Sequence, residues 1–418
     1  MAQDTRRRTN SKSRCSAAWA IWGGRALKLL KHFIFLLPAV GALLLYFLLP
    51  QFPEFTEYVF SRGIFRVVSV PLGVVSSLFP FSLTELAALV ALPAVVVLLV
   101  RFIRKLRRAK RRQKEAQVVC GDGELGEQHS AQEIGVGPTV RNIWLRAGKR
   151  LGWFLSCVLL GYMLLHGGNF YRQSAAQLLQ LDTGANSPEY LLEVTVDLAQ
   201  KASAAREQLP QDEQGCTTLS STLDDVLNQA GDGYQALGGR YPFLWGAVNG
   251  GKPVLLSHWW SYTQISGMYF PFFVEANINV DMPDSEIPAT AAHELAHTRG
   301  FAREDECNFF ACLSCFASPS ADYRYSGYLM AYIYCSNALY EYDKELWAQA
   351  RAYCSDGVVA DLNQRNQYWD QFEGQMQEVS SSVNSAFLQM QGEEDGVFSY
   401  NRVVELLMAY YEKEGLLE

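Results

Sequence analysis

The sequence predicts an α+β protein in which three membrane-spanning helices precede a mostly helical domain with a small sheet. Apolar residues concentrate in the first 170 of 418 positions. The later part combines long helical patterns with short aromatic and β-branched stretches that are typical of strands. We therefore expect a basic arm (residues 1–31), a membrane region (residues 32–170) and a separate domain (residues 171–418).

Three stretches come close to the roughly 20 apolar residues that a spanning helix needs. They lie at about residues 33–53, 83–103 and 151–170. The stretch at residues 67–84 is also uncharged. A fourth span there would reverse the side of the basic run that follows, so we predict that it is an interfacial or re-entrant piece packed against the other helices.

Lysine and arginine predict the orientation, because they are retained on the cytoplasmic side of a membrane. The first 31 residues hold eight of them, and residues 101–114 hold nine. Both segments are therefore expected inside, with a basic cytoplasmic loop at residues 104–150 whose part from 118 to 138 has a flexible composition. The third span then runs outward. This predicts a multi-pass protein of the cytoplasmic membrane, with the N-terminus inside and the C-terminal domain outside.

The predicted outer domain is strongly acidic. From residue 168 onward it has 13 Lys and Arg against 34 Asp and Glu, a formal charge of −21. Such a charge argues against nucleic acid as a partner. The pair Cys312 and Cys315 has the spacing of half a zinc ribbon, but its apolar helical surroundings favour buried core thiols.

The strongest chemical signal is the motif His293-Glu294-Leu295-Ala296-His297. Residues 253–257 and 269–280 suit strands, and the pattern from Pro288 to Gly300 then predicts a helix. Residues four apart share a helix face, so both imidazoles can bind one Zn²⁺ while Glu294 serves as general base toward a water molecule. The sequence therefore predicts a zinc-dependent peptidase site.

Zinc needs a third protein ligand. A second helix is expected from about residue 302, and its helical spacing puts Glu304, Cys307 and Asn308 on one face. We predict Glu304 as the third ligand and Asn308 as a group that orients one of the histidines. Glu306 is turned about 200° away and is the alternative ligand if the helix begins in a different register.

The segment from Gly267 to Cys315, together with the later segments RYSGYL and GVFSYNRVVELLMAYY, resembles the bacterial family filed as domain of unknown function 3810. The arrangement after the histidine motif is similar to gluzincin peptidases. This resemblance implies a zincin-like domain and a membrane-anchored zinc metallopeptidase without an assigned substrate. Cys307 departs from the related pattern, in which alanine is usual, but the ligands are kept.

A membrane-tethered zinc metallopeptidase is therefore the leading hypothesis, with Zn²⁺ as cofactor and a peptide or protein at the membrane surface as substrate. The alternative is a zinc-binding sensor or regulatory membrane protein without efficient proteolysis. Residues 269–280 could pair with substrate backbone or could be ordinary core. The candidates for stabilising the oxyanion are Arg324, Tyr325 and Tyr328.

Overall fold

A computed structural model describes residues 33–121, 139–184, 187–374, 376–382 and 400–417. The predicted basic arm and most of the predicted flexible loop lie outside these residues. The described chain is mostly helical and divides into two compact units. The first unit contains residues up to Leu45 and Leu92–Gly161, and the second contains Tyr46–Ala91 and Tyr162–Glu418.

The N-terminal half contains long apolar helices. They are α1 (Leu37–Leu48), α2 (Pro53–Phe55) with the π-helical Thr56–Ile64, α3 (Phe65–Ser77), α4 (Leu83–Gly121) and α5 (Val140–Leu165). Within the first unit Gly41 lies against Leu160, and the rings of Phe102 and Trp144 meet edge to face. Many apolar side chains of this unit are exposed, as expected of helices that face lipid.

Four helical segments are long and apolar enough to cross a membrane: Ile34–Gln51, Pro53–Ser77, Leu83–Glu115 and Val140–Leu165. Three spans were predicted, so the structure adds a fourth candidate. It is Pro53–Ser77, which overlaps the stretch predicted to be interfacial. The last candidate also begins before residue 151, since Lys149 and Arg150 continue the helix rather than end it. The prediction that apolar helices could associate with a membrane is confirmed.

The second unit is built around one hydrophobic core. Its helices are α6 (Ala175–Leu179), α7 (Pro188–Arg206), α8 (Leu223–Asn228), α9 (Asp232–Gly238), α10 (Ser257–Ser261), α11 (Ile287–Thr298), α12 (Glu304–Phe316), α13 (Ala321–Tyr342), α14 (Lys344–Arg351), α15 (Asp356–Asp370) and α16 (Tyr400–Glu414). Helix α13 packs along α7 and α12, and α11 packs on α12. The core includes Phe309, Phe310 and Tyr332, so α12 is buried along most of its length.

A three-stranded sheet lies beside α11. Its strands are β1 (Lys252–Pro253), β2 (Gly267–Phe270) and β3 (Glu275–Ile278), in the order β1-β3-β2. Strand β3 is parallel to β1 and antiparallel to β2. The predicted strand at residues 269–280 is thus a hairpin, and its turn includes Val274 at a positive φ of 54°. Strand β2 is one of the two edge strands and packs on α11.

The segment between α1 and α4 belongs to the second unit, which differs from the predicted boundary at residue 171. Glu57 is fully buried and forms an ion pair with Arg172, with 2.7 Å between Oε2 and Nε. Farther along, the Glu275 carboxylate is bound by Lys252 and by the backbone N–H groups of Leu83 and Thr84. Polar contacts therefore hold residues 53–85 against the acidic domain, rather than against the other apolar helices alone.

Candidate metal centre

The two histidines of the motif lie one turn apart on α11, and α12 brings an acid to them. The chain reverses between the helices at Gly300, whose φ of 85° is a conformation that favours glycine. Helix α12 begins at Glu304. Its carboxylate lies 3.1 Å from Nε2 of His293 and 3.6 Å from Nε2 of His297. One ligand atom from each of these three residues lies within 4.8 Å of the others.

The outward-facing nitrogens of both imidazoles are held by acceptors. Nδ1 of His293 lies 2.7 Å from Oδ1 of Asn308, and Nδ1 of His297 lies 2.9 Å from the carbonyl oxygen of Phe301. Because each acceptor receives a proton from Nδ1, the Nε2 of each ring in its neutral form carries a lone pair toward the cluster. Cys307 Sγ lies 3.3 Å from Nδ1 of His297, so its thiol fills space behind that ring. The predicted neighbourhood of Asn308 and a histidine is thus present.

Glu294 is buried beside the edge strand. A Cβ on Gly267 would come within 2.5 Å of Oε1 of Glu294, so only glycine permits this approach of strand and carboxylate. The backbone N–H of Tyr269 donates to the carboxylate, while Oε2 has no hydrogen-bond partner within the described ranges. Burial raises the pKa of Glu294 to about 8. A carboxylate with a raised pKa and an unpartnered oxygen is suited to exchanging a proton at neutral pH.

The histidines of the cluster and Glu304 strongly shift one another's pKa values. Burial by itself lowers the pKa of His293, but the hydrogen bond and charge of Glu304 outweigh it and raise this pKa to about 9. Burial likewise raises the pKa of Glu304, but the charges of His297 and His293 outweigh it and lower this pKa to about 2. The carboxylate of Glu304 is therefore ionised at neutral pH, as a carboxylate ligand of a metal must be, and it faces both imidazoles.

Two further residues lie beside the cluster: His166, which did not figure in the sequence prediction, and Tyr269, which figured only as part of the predicted strand 269–280. The ring of His166 lies 5.7 Å from that of His297 and 5.6 Å from that of Tyr269. Tyr269 stacks on His297, and its hydroxyl donates to the carbonyl oxygen of Leu165 at 3.0 Å. A signal for His166 was available, because one of only six histidines lies near the outer end of the third predicted span.

The remaining predicted site residues lie elsewhere. Oε1 of Glu306 accepts the backbone N–H of Ala175 at 2.8 Å, so this alternative ligand points away from the cluster. Arg324, Tyr325 and Tyr328 do not reach it either, because α13 directs them to other partners. Arg324 donates to the carbonyl oxygens of Ser318 and Pro319, Tyr325 donates to Asp361, and Tyr328 stacks on Phe316. The prediction that one of these three residues stabilises the oxyanion is therefore corrected.

The turn behind His297 is anchored by the segment that follows α1. Arg172 donates to both carboxylate oxygens of Glu57. Its Nη1 also donates to the carbonyl oxygen of Gly300 at 2.8 Å. Its guanidinium also lies over the ring of Phe301, 4.0 Å from the centroid. Since Phe301 provides the carbonyl that holds His297, the Glu57–Arg172 pair braces one of the two imidazoles.

The residues of the cluster fit a zinc ion. Two imidazole nitrogens and one carboxylate oxygen are a ligand set typical of catalytic zinc, in which a fourth position stays open. The unpartnered Oε2 of Glu294 next to them is consistent with a site that takes a further polar group. Across the part of the chain that the structure describes, no other group of three His, Cys, Asp or Glu has metal-binding spacing. Cys312 and Cys315 are buried, free thiols of the core.

Comparison with known proteins gives one match. The model of a family described as protein of unknown function (DUF3810) matches residues 137–408, which include α5, the sheet and the whole cluster. No curated protein and no solved structure matches the chain. On the strength of this match over most of its length, the chain belongs to the DUF3810 family of proteins of unknown function.

Proposed function

We propose that the chain is a membrane-tethered zinc metallopeptidase. One observation carries this proposal: His293, His297 and Glu304 converge, and beside them Glu294 has a buried carboxylate with a free oxygen. Oε2 of Glu306 and Oδ1 of Asp305 also have no hydrogen-bond partner among the described residues, so it is the position of Glu294 beside the three converging side chains that supports the proposal. A Zn²⁺ held by the three ligands would supply the Lewis acidity that lowers the pKa of a water molecule and polarises a peptide carbonyl.

In this proposal Glu294 moves the protons. It takes a proton from the attacking water and delivers it to the nitrogen of the departing amine, so the carboxylate ends each cycle as it began. His166 is well placed to donate a hydrogen bond to the carbonyl oxygen as negative charge develops, since its ring lies beside that of His297. Burial lowers the pKa of His166 to about 3, so the ring is a neutral donor.

The substrate backbone would pair with β2. Among the described residues this strand pairs with β3 alone, so no other strand occupies its second edge. It also carries Gly267, which lies against Glu294. A peptide added along β2 would therefore pass the general base. Met268, whose side chain is partly exposed, would contact the residues on either side of the cleaved bond.

We further propose three crossings with the domain outside. Helix α1 runs outward, residues 53–82 stay on the outer side bound to the domain, α4 returns to the inside and α5 runs outward again. The buried ion pair of Glu57 supports this scheme, because a charged pair bound to the acidic domain has no reason to cross lipid. The basic run in the second half of α4, residues 101–114, is then inside.

The decisive experiment uses the full chain purified in detergent or nanodiscs. Zinc content is measured by mass spectrometry, and a proteome-derived peptide library is digested with the wild type and with Glu294→Gln. We expect about one zinc per chain in both proteins and cleavage by the wild type alone. Zinc binding without cleavage of any peptide would favour the sensor hypothesis, and absence of zinc would contradict both.

Orientation is tested separately on whole cells. A membrane-impermeant thiol reagent should label a cysteine introduced at Asp212 or Glu213 but not one introduced at Gly123. Labelling at Gly123 alone would reverse the proposed topology without bearing on the chemistry of the cluster.

A further inference from the structure

The second unit has an exposed apolar surface made of two uncharged segments. Leu78 is 75% exposed in the turn before α4, Leu255 is 86% exposed in the loop after β1, and Trp259 is 66% exposed in the short helix α10 that follows. Neither residues 77–84 nor residues 253–262 contain Lys, Arg, Asp or Glu. Large apolar side chains clustered in this way on a soluble surface mark a site that contacts protein or lipid. We call these two segments the apolar rim.

Buried charges fix both segments of the rim to the beginning of α4. The carboxylate of Glu85, in the first turn of α4, accepts the backbone N–H groups of Leu255 at 3.0 Å and Leu256 at 2.8 Å. Nζ of Lys252 donates to the carbonyl oxygens of Ser76 at 2.6 Å and Phe81 at 3.3 Å. These contacts fix the backbone of both segments, so the exposed side chains stay at the surface.

The rim is continuous with a helix that is suited to lipid. After Glu85, α4 exposes Leu86, Leu89 and Val90 within the same compact unit, and it is apolar up to Arg101. It has the highest mean hydropathy among the candidate spans of the described chain. A surface tied to the first turn of a spanning helix must lie at the level where that helix enters the bilayer.

We propose that the apolar rim inserts into the outer leaflet of the membrane and holds the catalytic cleft close to the lipid surface. This proposal rests on the crossing of α4 proposed above. Trp259 and Tyr262 would lie at the headgroup level, where aromatic side chains are enriched, and Leu78 and Leu255 would reach the acyl chains. The lack of charge in both segments removes the usual obstacle to insertion.

The rim restricts the substrate. Tyr262 precedes Gly267 by five residues, and an extended chain spans at most about 3.5 Å per residue, so β2 begins within about 18 Å of Tyr262. Glu294 lies directly against Gly267. The cleft is therefore within about 20 Å of the lipid headgroups, and the substrate class is a polypeptide anchored in the same membrane, cut in an extended segment next to its anchor.

Depth measurements on the full chain in nanodiscs test the position of the rim. Single cysteines at Leu255 and Trp259 are labelled with a fluorophore, and quenching by lipids that carry bromine or nitroxide is compared with that of a label at Tyr342, an exposed residue at the end of α13. A chain without an introduced cysteine gives the background. We expect quenching at the two rim positions to be several-fold greater than at Tyr342.

A label at Val96 separates this proposal from the proposed crossing of α4. Strong quenching at Val96 with rim values equal to that at Tyr342 would overturn the rim proposal alone. Weak quenching at Val96 as well would overturn the crossing itself. Crosslinking between copies through Leu255→Cys without lipid quenching would identify a second copy as the occupant and would also overturn the proposal.

Hydrolysis tests the consequence for the substrate. The double variant Leu255→Ser, Trp259→Ser should cleave a lipid-anchored peptide at least about fivefold more slowly than wild type, while its rate on the same peptide without the anchor stays unchanged. An equal fall on both peptides would contradict a role in substrate presentation. If wild type cleaves neither peptide while the depth pattern holds, the failure lies in the proposed function and the position of the rim stands.

Discussion

Two clusters of buried charge in the second unit are constructed differently. Around Asp361, Arg206 donates from Nε, Thr217 donates from its backbone and its hydroxyl, and Tyr325 donates its hydroxyl, so both carboxylate oxygens are satisfied. Around Glu294, one oxygen has no partner in the described chain. The first cluster is complete with protein groups alone, whereas in our proposal the open oxygen of the second accepts a proton from a bound water molecule.

This difference separates a structural role from a chemical one. A buried carboxylate that is fully hydrogen-bonded stabilises one conformation and has no spare capacity. A buried carboxylate with an open oxygen destabilises the fold, and such a cost is typical of active sites. Each of the following changes should affect one cluster and spare the other.

The largest effect is expected from Glu294→Gln. The amide keeps the shape of the side chain but cannot accept a proton, so hydrolysis should fall by about 10²- to 10⁴-fold. Zinc content should stay at the wild-type level, and the free energy of unfolding should stay nearly equal, because a pKa of about 8 leaves Glu294 mostly uncharged at neutral pH and the amide has the same shape. Single-turnover rates and thermal unfolding check these outcomes. A variant that cleaves at the wild-type rate would exclude Glu294 as the base.

Loss of a ligand should come next. Glu304→Ala removes one of three protein ligands, so zinc affinity should fall by more than about 100-fold. The matched control is Glu306→Ala, two residues away on the same helix, whose carboxylate binds the N–H of Ala175 instead. Metal content after dialysis against a weak chelator compares them. If Glu306→Ala empties the site and Glu304→Ala does not, the ligand assignment is wrong.

Asp361→Asn should show the opposite profile. It leaves the buried Arg206 without its charged partner, so the free energy of unfolding should fall by about 3–5 kcal/mol. Zinc bound per folded chain should be unchanged, because Asp361 has no contact with the metal cluster. Chemical denaturation and metal analysis of the folded fraction provide the measurement. Loss of zinc from folded Asp361→Asn would remove the distinction between the two clusters.

A smaller effect on zinc affinity is expected from Asn308, which contacts a ligand rather than the metal. Asn308→Ala removes the acceptor that lies 2.7 Å from Nδ1 of His293, and zinc affinity should fall by about 10- to 100-fold. Asn308→Asp, which keeps an acceptor oxygen, should restore most of the affinity. Competition with a fluorescent chelator measures both constants. Equal affinities for Asn308→Ala and wild type would show that the contact does not orient the ring.

The smallest change is the effect of pH on zinc uptake. In the metal-free cluster the pKa of His293 is about 9, so at pH 7 the ring carries a proton that zinc must displace. Zinc affinity should therefore increase with pH up to about 9 and decrease about tenfold for each unit of pH below it. Calorimetry in two buffers of different ionisation enthalpy should record release of about one proton at pH 7. Release of none would contradict this coupling.

The short-range pattern predicted the centre of the site well. Helical spacing was sufficient to place His293, His297 and Glu304 together and to put Asn308 behind a ring, because all four lie on two consecutive helices joined at Gly300. That these residues bind zinc stays a prediction. The same reasoning failed for Arg324, Tyr325 and Tyr328, because their partners come from distant parts of the chain, such as Asp361, that no local period reveals.

The position of residues 53–85 in the second unit also could not be predicted from the local sequence pattern. The uncharged composition of residues 67–84 predicted an interfacial or re-entrant piece packed against the other helices, but these residues belong to the second unit, and just before them buried Glu57 pairs with Arg172 far along the chain. His166 was missed for a related reason. It lies at the end of an apolar helix, and only the packing of that end against β2 and α11 brings its ring beside His297.

The Glu57–Arg172 pair has a consequence for how the chain is made. The two residues are separated by 115 positions, which a ribosome translates in on the order of ten seconds. In the topology proposed above, α1 and α4 enter the membrane during that time, while Glu57, Glu85 and residues 53–82 wait outside without their partners. The proposed peptidase domain would then assemble only after insertion of α5, so its metal cluster would not form before the protein is anchored.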